Sequence, residues 1–149
     1  MLETQILEYQ TNSPEETEAL GERLASLLHG GEVLAFYGGM GMGKTAFTRG
    51  LARGLGITEG VSSPTFALVH EYPGKIPLYH FDMFRVSGWD DLYSTGFFDY
   101  LETDAVLAIE WSENIEGALP EGTIRIEICE GKEENQRVIR ISGLKEKLL

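Results

Sequence analysis

The chain has 149 residues, of which 42% are hydrophobic and 24% are charged, and these values predict one globular domain with its own core. Its net charge of −12 disfavours a broad electrostatic surface that binds RNA or DNA. If the protein acts on nucleic acid, we expect it to do so through a protein partner. One cysteine, Cys129, excludes an internal disulfide and a multi-cysteine metal site.

No apolar segment is long enough to span a bilayer, and residues 1–5 lack the basic start and apolar block of a signal peptide. We therefore expect a cytoplasmic protein without membrane association.

The first elements predicted are a short strand over residues 4–9 and a helix. Ser13 can cap this helix, Pro14 suits its first turn and Glu16 completes a capping box. The apolar stripe of the helix comprises Leu20, Leu24, Leu27 and Leu28. The pair Gly30-Gly31 is predicted to end it.

A phosphate-binding loop follows. Residues 38–45 read Gly-Gly-Met-Gly-Met-Gly-Lys-Thr and satisfy the pattern G-x-x-x-x-G-K-[ST]. An apolar, strand-like run over 32–37 precedes them, and helical spacing of apolar residues over 46–55 follows. A strand that leads through a glycine-rich turn into a helix is the context in which this pattern binds phosphate.

The expected nucleotide ligands in this loop are backbone amides and two side chains. Glycine lets the backbone curl so that N–H groups point at a phosphate chain, and the start of the helix adds its positive end. Lys44 can reach the β- and γ-phosphates, and the Thr45 hydroxyl can bind Mg²⁺. The alternative is a glycine-rich turn that only connects a strand and a helix. The candidate residues are Gly38, Gly39, Met40, Gly41, Met42, Gly43, Lys44, Thr45 and Ala46.

The rest of the chain predicts two hairpins, one or two short helices and a buried strand. The hairpins comprise strands 66–72 and 76–81 around Pro73-Gly74, and strands 123–129 and 137–141. The short helices fall in 89–100, and the buried strand in 105–109. The expected fold is α/β, a P-loop NTPase-like mixed sheet with flanking helices, parallel near the phosphate loop and antiparallel toward its margins.

Two carboxylates end predicted strands. Asp82 follows the apolar strand 77–81 in a Walker-B arrangement, where it can hold the metal shell; otherwise it caps a turn. Glu110 closes the buried strand 105–109, and a metal or a polarised water would offset the cost of placing a carboxylate there. The alternative for Glu110 is an exposed glutamate at the start of a loop.

Other polar and aromatic residues have weaker signals. Thr65, in the run Ser62–Thr65, suits either a switch residue that reads Mg²⁺ and γ-phosphate or a simple turn. His70 and His80 are interpreted as structural histidines rather than ligands. Trp111 suits either stacking beside a nucleotide or a place in the core. The basic residues that can make the pocket positive are Arg49, Arg53 and Arg85.

The order of these motifs resembles that of the bacterial TsaE (YjeE) family. The matching residues are the phosphate loop, Ser63-Pro64-Thr65-Phe66, His80-Phe81-Asp82 with Arg85, and Glu110-Trp111. Members of that family are small ATPases of the tRNA threonylcarbamoyladenosine pathway.

The resemblance implies ATP and Mg²⁺ as cofactors, and TsaB and TsaD as protein partners that provide the only link to tRNA. It implies Lys44, Asp82 and Glu110 as catalytic residues, and Thr45, Asp82 and Glu110 as metal ligands. It places the segment around Thr11 on the adenine side.

The chain departs from the usual loop of that family at Gly39, Met40, Met42 and Ala46. Ala46 is the departure that bears on affinity, because it removes a hydroxyl able to contact an α-phosphate. Two other functions remain open: a nucleotide-gated assembly module without a catalytic need, and a small-molecule kinase. A kinase usually needs several arginines over its acceptor, and few remain beyond the phosphate helix.

Overall fold

The computed structural model describes residues 5–38, 43–58 and 69–144. Its elements, in chain order, are β1 (Ile6–Thr11), α1 (Pro14–Ala25), β2 (Val33–Tyr37), α2 (Lys44–Gly54), β3 (Val69–Tyr72), β4 (Leu78–Asp82), α3 (Trp89–Ser94), α4 (Phe97–Tyr100), β5 (Val106–Glu110), a 3-10 segment (Ser112–Ala118), β6 (Ile124–Glu130) and β7 (Arg137–Ser142).

The seven strands form one mixed sheet in the order β1-β7-β6-β2-β5-β4-β3. β2 pairs in parallel with both β5 and β6, and β4 pairs in parallel with β5. The pairs β1–β7, β6–β7 and β3–β4 are antiparallel. The predicted architecture, a parallel centre with antiparallel margins and flanking helices, is confirmed.

Two apolar cores lie on opposite faces of the sheet, because successive side chains of a strand point to opposite faces. Leu34 and Phe36 of β2 belong to the core that contains the buried residues of α1 and α2. Val33 belongs to the core that contains Leu92 of α3 and Phe97 of α4. The central strands are thus covered on both sides, as their continuous apolar sequence predicts.

Helix α2 is held by an unusually close crossing with α1. A Cβ at Gly50 would lie 1.7 Å from the carbonyl oxygen of Glu18, and one at Gly21 would lie 2.2 Å from that of Phe47. The backbones can approach this closely only because both positions are glycine. The crossing fixes α2, whose first residue is Lys44.

Three details of the N-terminal part differ from the prediction. The first described strand begins at Ile6 and extends to Thr11, because all six of its residues pair with β7. Helix α1 ends at Ala25, five residues before Gly30. The N–H of its C-cap residue, Ser26, donates to the Arg23 carbonyl oxygen and closes the last turn. Glu16 accepts a hydrogen bond from the Asn12 N–H (2.9 Å) rather than from the Ser13 N–H.

The remaining predicted elements are present in the described residues. Ser13 caps α1, with its side chain accepting from the Glu16 N–H (3.1 Å). Both hairpins form, although 66–68 of the first lie outside the described residues. Cys129 lies in β6 and is half-buried. No helix of the described part is both long and apolar enough to cross a membrane.

Candidate functional site

The candidate site lies where the parallel strands β2, β4 and β5 end. Tyr37 ends β2 and leads into Gly38, while Asp82 ends β4 and Glu110 ends β5. Asp82 and Glu110 are direct neighbours in the β4–β5 register. The carboxyl ends of adjacent parallel strands are the usual place for ligands in an open α/β sheet.

The start of α2 faces this edge without a side-chain cap. Its N-cap, Gly43, has φ 100°, a left-handed conformation that favours glycine, and no side chain of the described residues caps the first amides. Its first turn contains no acidic residue. Gly38 also needs to be glycine, because a Cβ there would lie 2.4 Å from the Ile128 carbonyl oxygen. An uncapped helix start of this kind suits an anion.

Lys44 is buried at this edge, with 5% of its surface exposed. Its Nζ donates to the Gly38 carbonyl oxygen (3.2 Å) and lies 3.8 Å from Glu110 Oε1. The same nitrogen lies 5.5 Å from the centre of the Trp111 ring, within the range of a cation–π contact. The lysine is therefore held beside Gly38 and Glu110 rather than extended into solvent.

Glu110 is 7% exposed and is held by His80 as well as by Lys44. Its Oε2 lies 2.7 Å from His80 Nε2. Burial opposes ionisation of Glu110, but the His80 hydrogen bond and the charges of His80 and Lys44 outweigh it and lower the pKa. Glu110 is therefore a carboxylate at neutral pH, and His80 Nε2 must be the donor.

His80 is the residue whose role the sequence did not reveal. It is fully buried, and its Nδ1 has no hydrogen-bond partner in the parts of the chain that the structure describes. The contact with Glu110 uses the other ring nitrogen, Nε2. The structural role predicted for His80 stays a prediction, and the contact that the structure gives it is with Glu110.

Asp82 caps a turn while lying beside Glu110. Its Oδ1 accepts from the Phe84 N–H (2.9 Å). The Met83 N–H bonds the Glu110 carbonyl oxygen (3.0 Å), and the Asn114 Nδ2 donates to the Met83 carbonyl oxygen (2.9 Å). The segments that follow the two carboxylates are consequently tied together.

Trp111 connects Glu110 to the 3-10 segment in a strained conformation. Its φ of 60° is the only positive value of a non-glycine residue in the described ranges. Such strain costs on the order of 1–3 kcal/mol and is concentrated at functional sites. The half-buried indole packs against Phe84, with ring centres 4.9 Å apart. It packs against the core that contains Leu92 and Phe97, and its ring also lies beside Lys44 at the edge of the site.

The other predicted ligands lie at varied places. Thr45 and Ala46 are in the first turn of α2, Thr45 half-buried and Ala46 buried. Thr11 is buried, and its hydroxyl lies 2.7 Å from that of Thr17. Four loop residues (Gly39, Met40, Gly41 and Met42) and Thr65 lie outside the described residues.

Two of the three candidate arginines pair with α1. Arg53 bonds Glu18 (2.6 Å) and Glu22 (3.2 Å), and Arg49 lies 3.9 Å from Glu18. Arg85 is exposed and has no ion pair with any residue that the structure describes. Within the described ranges, no group of three His, Cys, Asp or Glu side chains could hold a metal ion by itself.

A second polar cluster lies immediately before the loop. The Tyr37 hydroxyl donates to Glu116, and Arg125 bonds the same carboxylate through Nε (3.1 Å) and Nη2 (2.8 Å). Burial, together with the hydrogen bond to Glu116 and its charge, raises the pKa of Tyr37 to about 12. The cluster joins β2 to the 3-10 segment.

The raised pKa of Tyr37 predicts a late phase in a spectrophotometric titration. Absorbance of tyrosinate at 295 nm should show a component near pH 12 that is missing from Tyr37→Phe and retained in Tyr93→Phe, an exposed control. Because the folded pKa exceeds 10.0, the stabilisation is complete below pH 10 and is lost as the pH rises toward 12. An unchanged titration of Tyr37→Phe would contradict the cluster.

Known proteins resemble this chain over most of its length. The family model described as "Threonylcarbamoyl adenosine biosynthesis protein TsaE" matches residues 11–139. The chain belongs to the TsaE family. The matched region contains strands β2 to β6 whole, only Thr11 of β1 and the first half of β7, and every site residue described above.

Individual TsaE proteins match most of the chain. The tRNA threonylcarbamoyladenosine biosynthesis protein TsaE of Bacillus subtilis is 38% identical over 133 residues, which are 89% of this chain and 83% of that protein. The TsaE protein of Aquifex aeolicus is 39% identical over 134 residues, 87% of this chain and 90% of its own. The crystal structure of Bacillus subtilis YdiB superposes with a TM-score of 0.77 at 34% identity, covering 95% of this chain and 88% of that one.

Proposed function

We propose that this protein binds and hydrolyses Mg-ATP, and that it supports threonylcarbamoylation of adenosine 37 in tRNA through the TsaB–TsaD complex. The observation that carries the proposal is the meeting of Lys44, Asp82 and Glu110 at the edge where the uncapped helix α2 begins. Membership of the TsaE family supports the pathway, since the relatives are named for threonylcarbamoyladenosine biosynthesis.

The side chains present suit a magnesium nucleotide. Mg²⁺ prefers oxygen ligands and keeps several waters, so it needs only one or two protein ligands besides phosphate. Thr45, Asp82 and Glu110 offer a hydroxyl and two carboxylates for that purpose, and Mg²⁺ would neutralise charge that develops on the phosphates. Lys44 and the first amides of α2 would bind phosphate oxygens.

Glu110 would orient the attacking water. Its low pKa keeps it ionised, and His80 fixes one carboxylate oxygen, which leaves Oε1 directed toward Lys44. A carboxylate held in one orientation can accept a hydrogen bond from water and polarise it for attack. His80 acts on this step only through Glu110, as a positioning residue.

Hydrolysis by the isolated protein should be slow. Arg49 and Arg53 are engaged by α1, so Lys44 and Arg85 are left to offset charge in the transition state. In many P-loop enzymes a partner protein supplies a cation that stabilises the transition state and greatly raises the rate of nucleotide hydrolysis.

The proposal is tested by a pull-down and a rate measurement. The purified protein should retain TsaB and TsaD to different extents with ATP, with ADP and without nucleotide, and its ATP turnover should rise when TsaB and TsaD are added. Equal turnover with and without them, or strong tRNA binding by the protein alone, would contradict the proposal.

A further inference from the structure

An aromatic face is exposed on α3 and α4. Trp89 is 56% exposed and Tyr93 is 65% exposed. Their rings contact Phe98 of α4, with ring centres 6.4 Å and 5.0 Å away. We call Trp89, Tyr93 and Phe98 the aromatic face. Large aromatic side chains exposed together usually mark a surface that binds another molecule.

A groove beside this face runs between α3 and the 3-10 segment. Trp89 forms one side of it, and apolar side chains line it: Val86, Leu92, Ile115 and Ala118. The groove can therefore receive an apolar side chain from a partner, next to exposed rings that can cover it.

The surroundings of the aromatic face are strongly acidic. Residues 86–124 contain nine Asp and Glu residues and no Lys, Arg or His, so they supply −9 of the net charge of −12. Three of the exposed acids, Asp90, Asp99 and Glu113, have no ion pair with any residue that the structure describes. This charge repels nucleic acid, anionic membranes and a second copy of the chain, and attracts a basic protein surface.

The groove adjoins the two segments that follow Asp82 and Glu110 in the chain. Asn114 lines it, and the same side chain donates to the carbonyl oxygens of Met83 (2.9 Å) and Phe84 (3.3 Å). These residues follow Asp82, and the 3-10 segment follows Glu110 and Trp111. A partner bound in the groove would contact both segments that leave the carboxylates.

We infer that the aromatic face and its groove dock a protein partner whose contacting surface carries Lys or Arg residues around a protruding apolar side chain. The inference rests on the proposed function, because that function requires a protein partner whose binding depends on the nucleotide. The docking surface lies on the segments that follow Asp82 and Glu110 in the chain. Aromatic anchors provide the affinity of such an interface, and the acidic rim provides its rate of association and its specificity.

The test is a binding titration of the full-length protein against the purified TsaB–TsaD complex in the presence of Mg-ATP. Trp89→Ser and Tyr93→Ser should each weaken binding about tenfold or more, as expected for interface aromatics. Ile6→Ser is the matched control, since Ile6 is 65% exposed on β1 and should leave binding within about twofold. Asp90→Asn with Asp99→Asn should reduce the dependence of binding on salt.

The outcomes separate the inference from the proposed function. Each variant must first bind a fluorescent ATP analogue as the wild type does, which shows that the site is folded. If the wild type binds TsaB–TsaD and both aromatic variants bind it equally well, the docking surface is wrong and the proposed function stands. If the wild type does not bind TsaB–TsaD, both are contradicted. Self-association or RNA binding that depends on Trp89 would also overturn the inference.

Discussion

Glu110→Gln is expected to lower the rate of ATP hydrolysis by about 10²–10⁴-fold, the usual contribution of a positioned acid or base. The amide keeps the shape and can still accept from His80 Nε2, but it has no charge with which to polarise a water. Affinity for Mg-ATP should change far less than the rate. The measurement is single-turnover hydrolysis with ATP binding determined in parallel.

Two variants control this result. Glu113→Gln changes an exposed glutamate three residues away and should leave hydrolysis unchanged. His80→Gln keeps a donor near Glu110 and should lower kcat while leaving KM nearly unchanged, because His80 only positions Glu110. A loss of ATP binding equal to the loss of rate would indicate a structural role for His80 instead.

Glu110→Gln also shows whether tRNA modification needs ATP hydrolysis or only ATP binding. If Glu110→Gln binds ATP and the partners but fails to support repeated tRNA modification, hydrolysis is needed. If modification continues at the normal rate, the nucleotide only orders an interface, and the alternative of a gated assembly module is correct.

Lys44→Ala is expected to weaken Mg-ATP binding by about 10- to 100-fold, the range for loss of hydrogen bonds to a charged group. Lys44 is the buried cation of the site, held within reach of Gly38 and Glu110. Its removal also takes away the ion pair that Lys44 forms with the buried Glu110, so a loss of stability should accompany it. Calorimetric titration with ATP measures the effect.

Lys75→Ala is the matched control for Lys44→Ala. Lys75 is exposed in the turn between β3 and β4, and its removal should not change ATP affinity. Equal affinities of the wild type and Lys44→Ala would show that the glycine-rich turn is only a connection between a strand and a helix.

Much of the fold follows from local signals in the sequence. The cap at Ser13, the alternation along β6 and β7 and the continuous apolar run of β5 each depend on neighbouring residues. The strand, glycine turn and helix around Lys44 are also local. For this reason the sequence predicts both the architecture and the two carboxylates that end strands.

The parts that sequence did not predict depend on register and packing. His80 reaches Glu110 because β4 and β5 pair with Asp82 opposite Glu110, and side-chain alternation then puts His80 on the same face. Arg53 pairs with Glu18 because α1 and α2 cross closely. This crossing is a tertiary contact that no local sequence pattern predicts. The left-handed Trp111 is likewise fixed by its surroundings, since tryptophan has no preference for positive φ.

The most direct test of the central claim, that Mg-ATP binds at the carboxyl edge of β2, β4 and β5, is a crystal structure with Mg²⁺ and the non-hydrolysable analogue AMP-PNP. We expect its phosphates to contact Lys44 Nζ and the first amides of α2, with Mg²⁺ bound by the Thr45 hydroxyl and close to Asp82 or Glu110. An analogue bound elsewhere, with Lys44 still paired to Glu110, would contradict the claim.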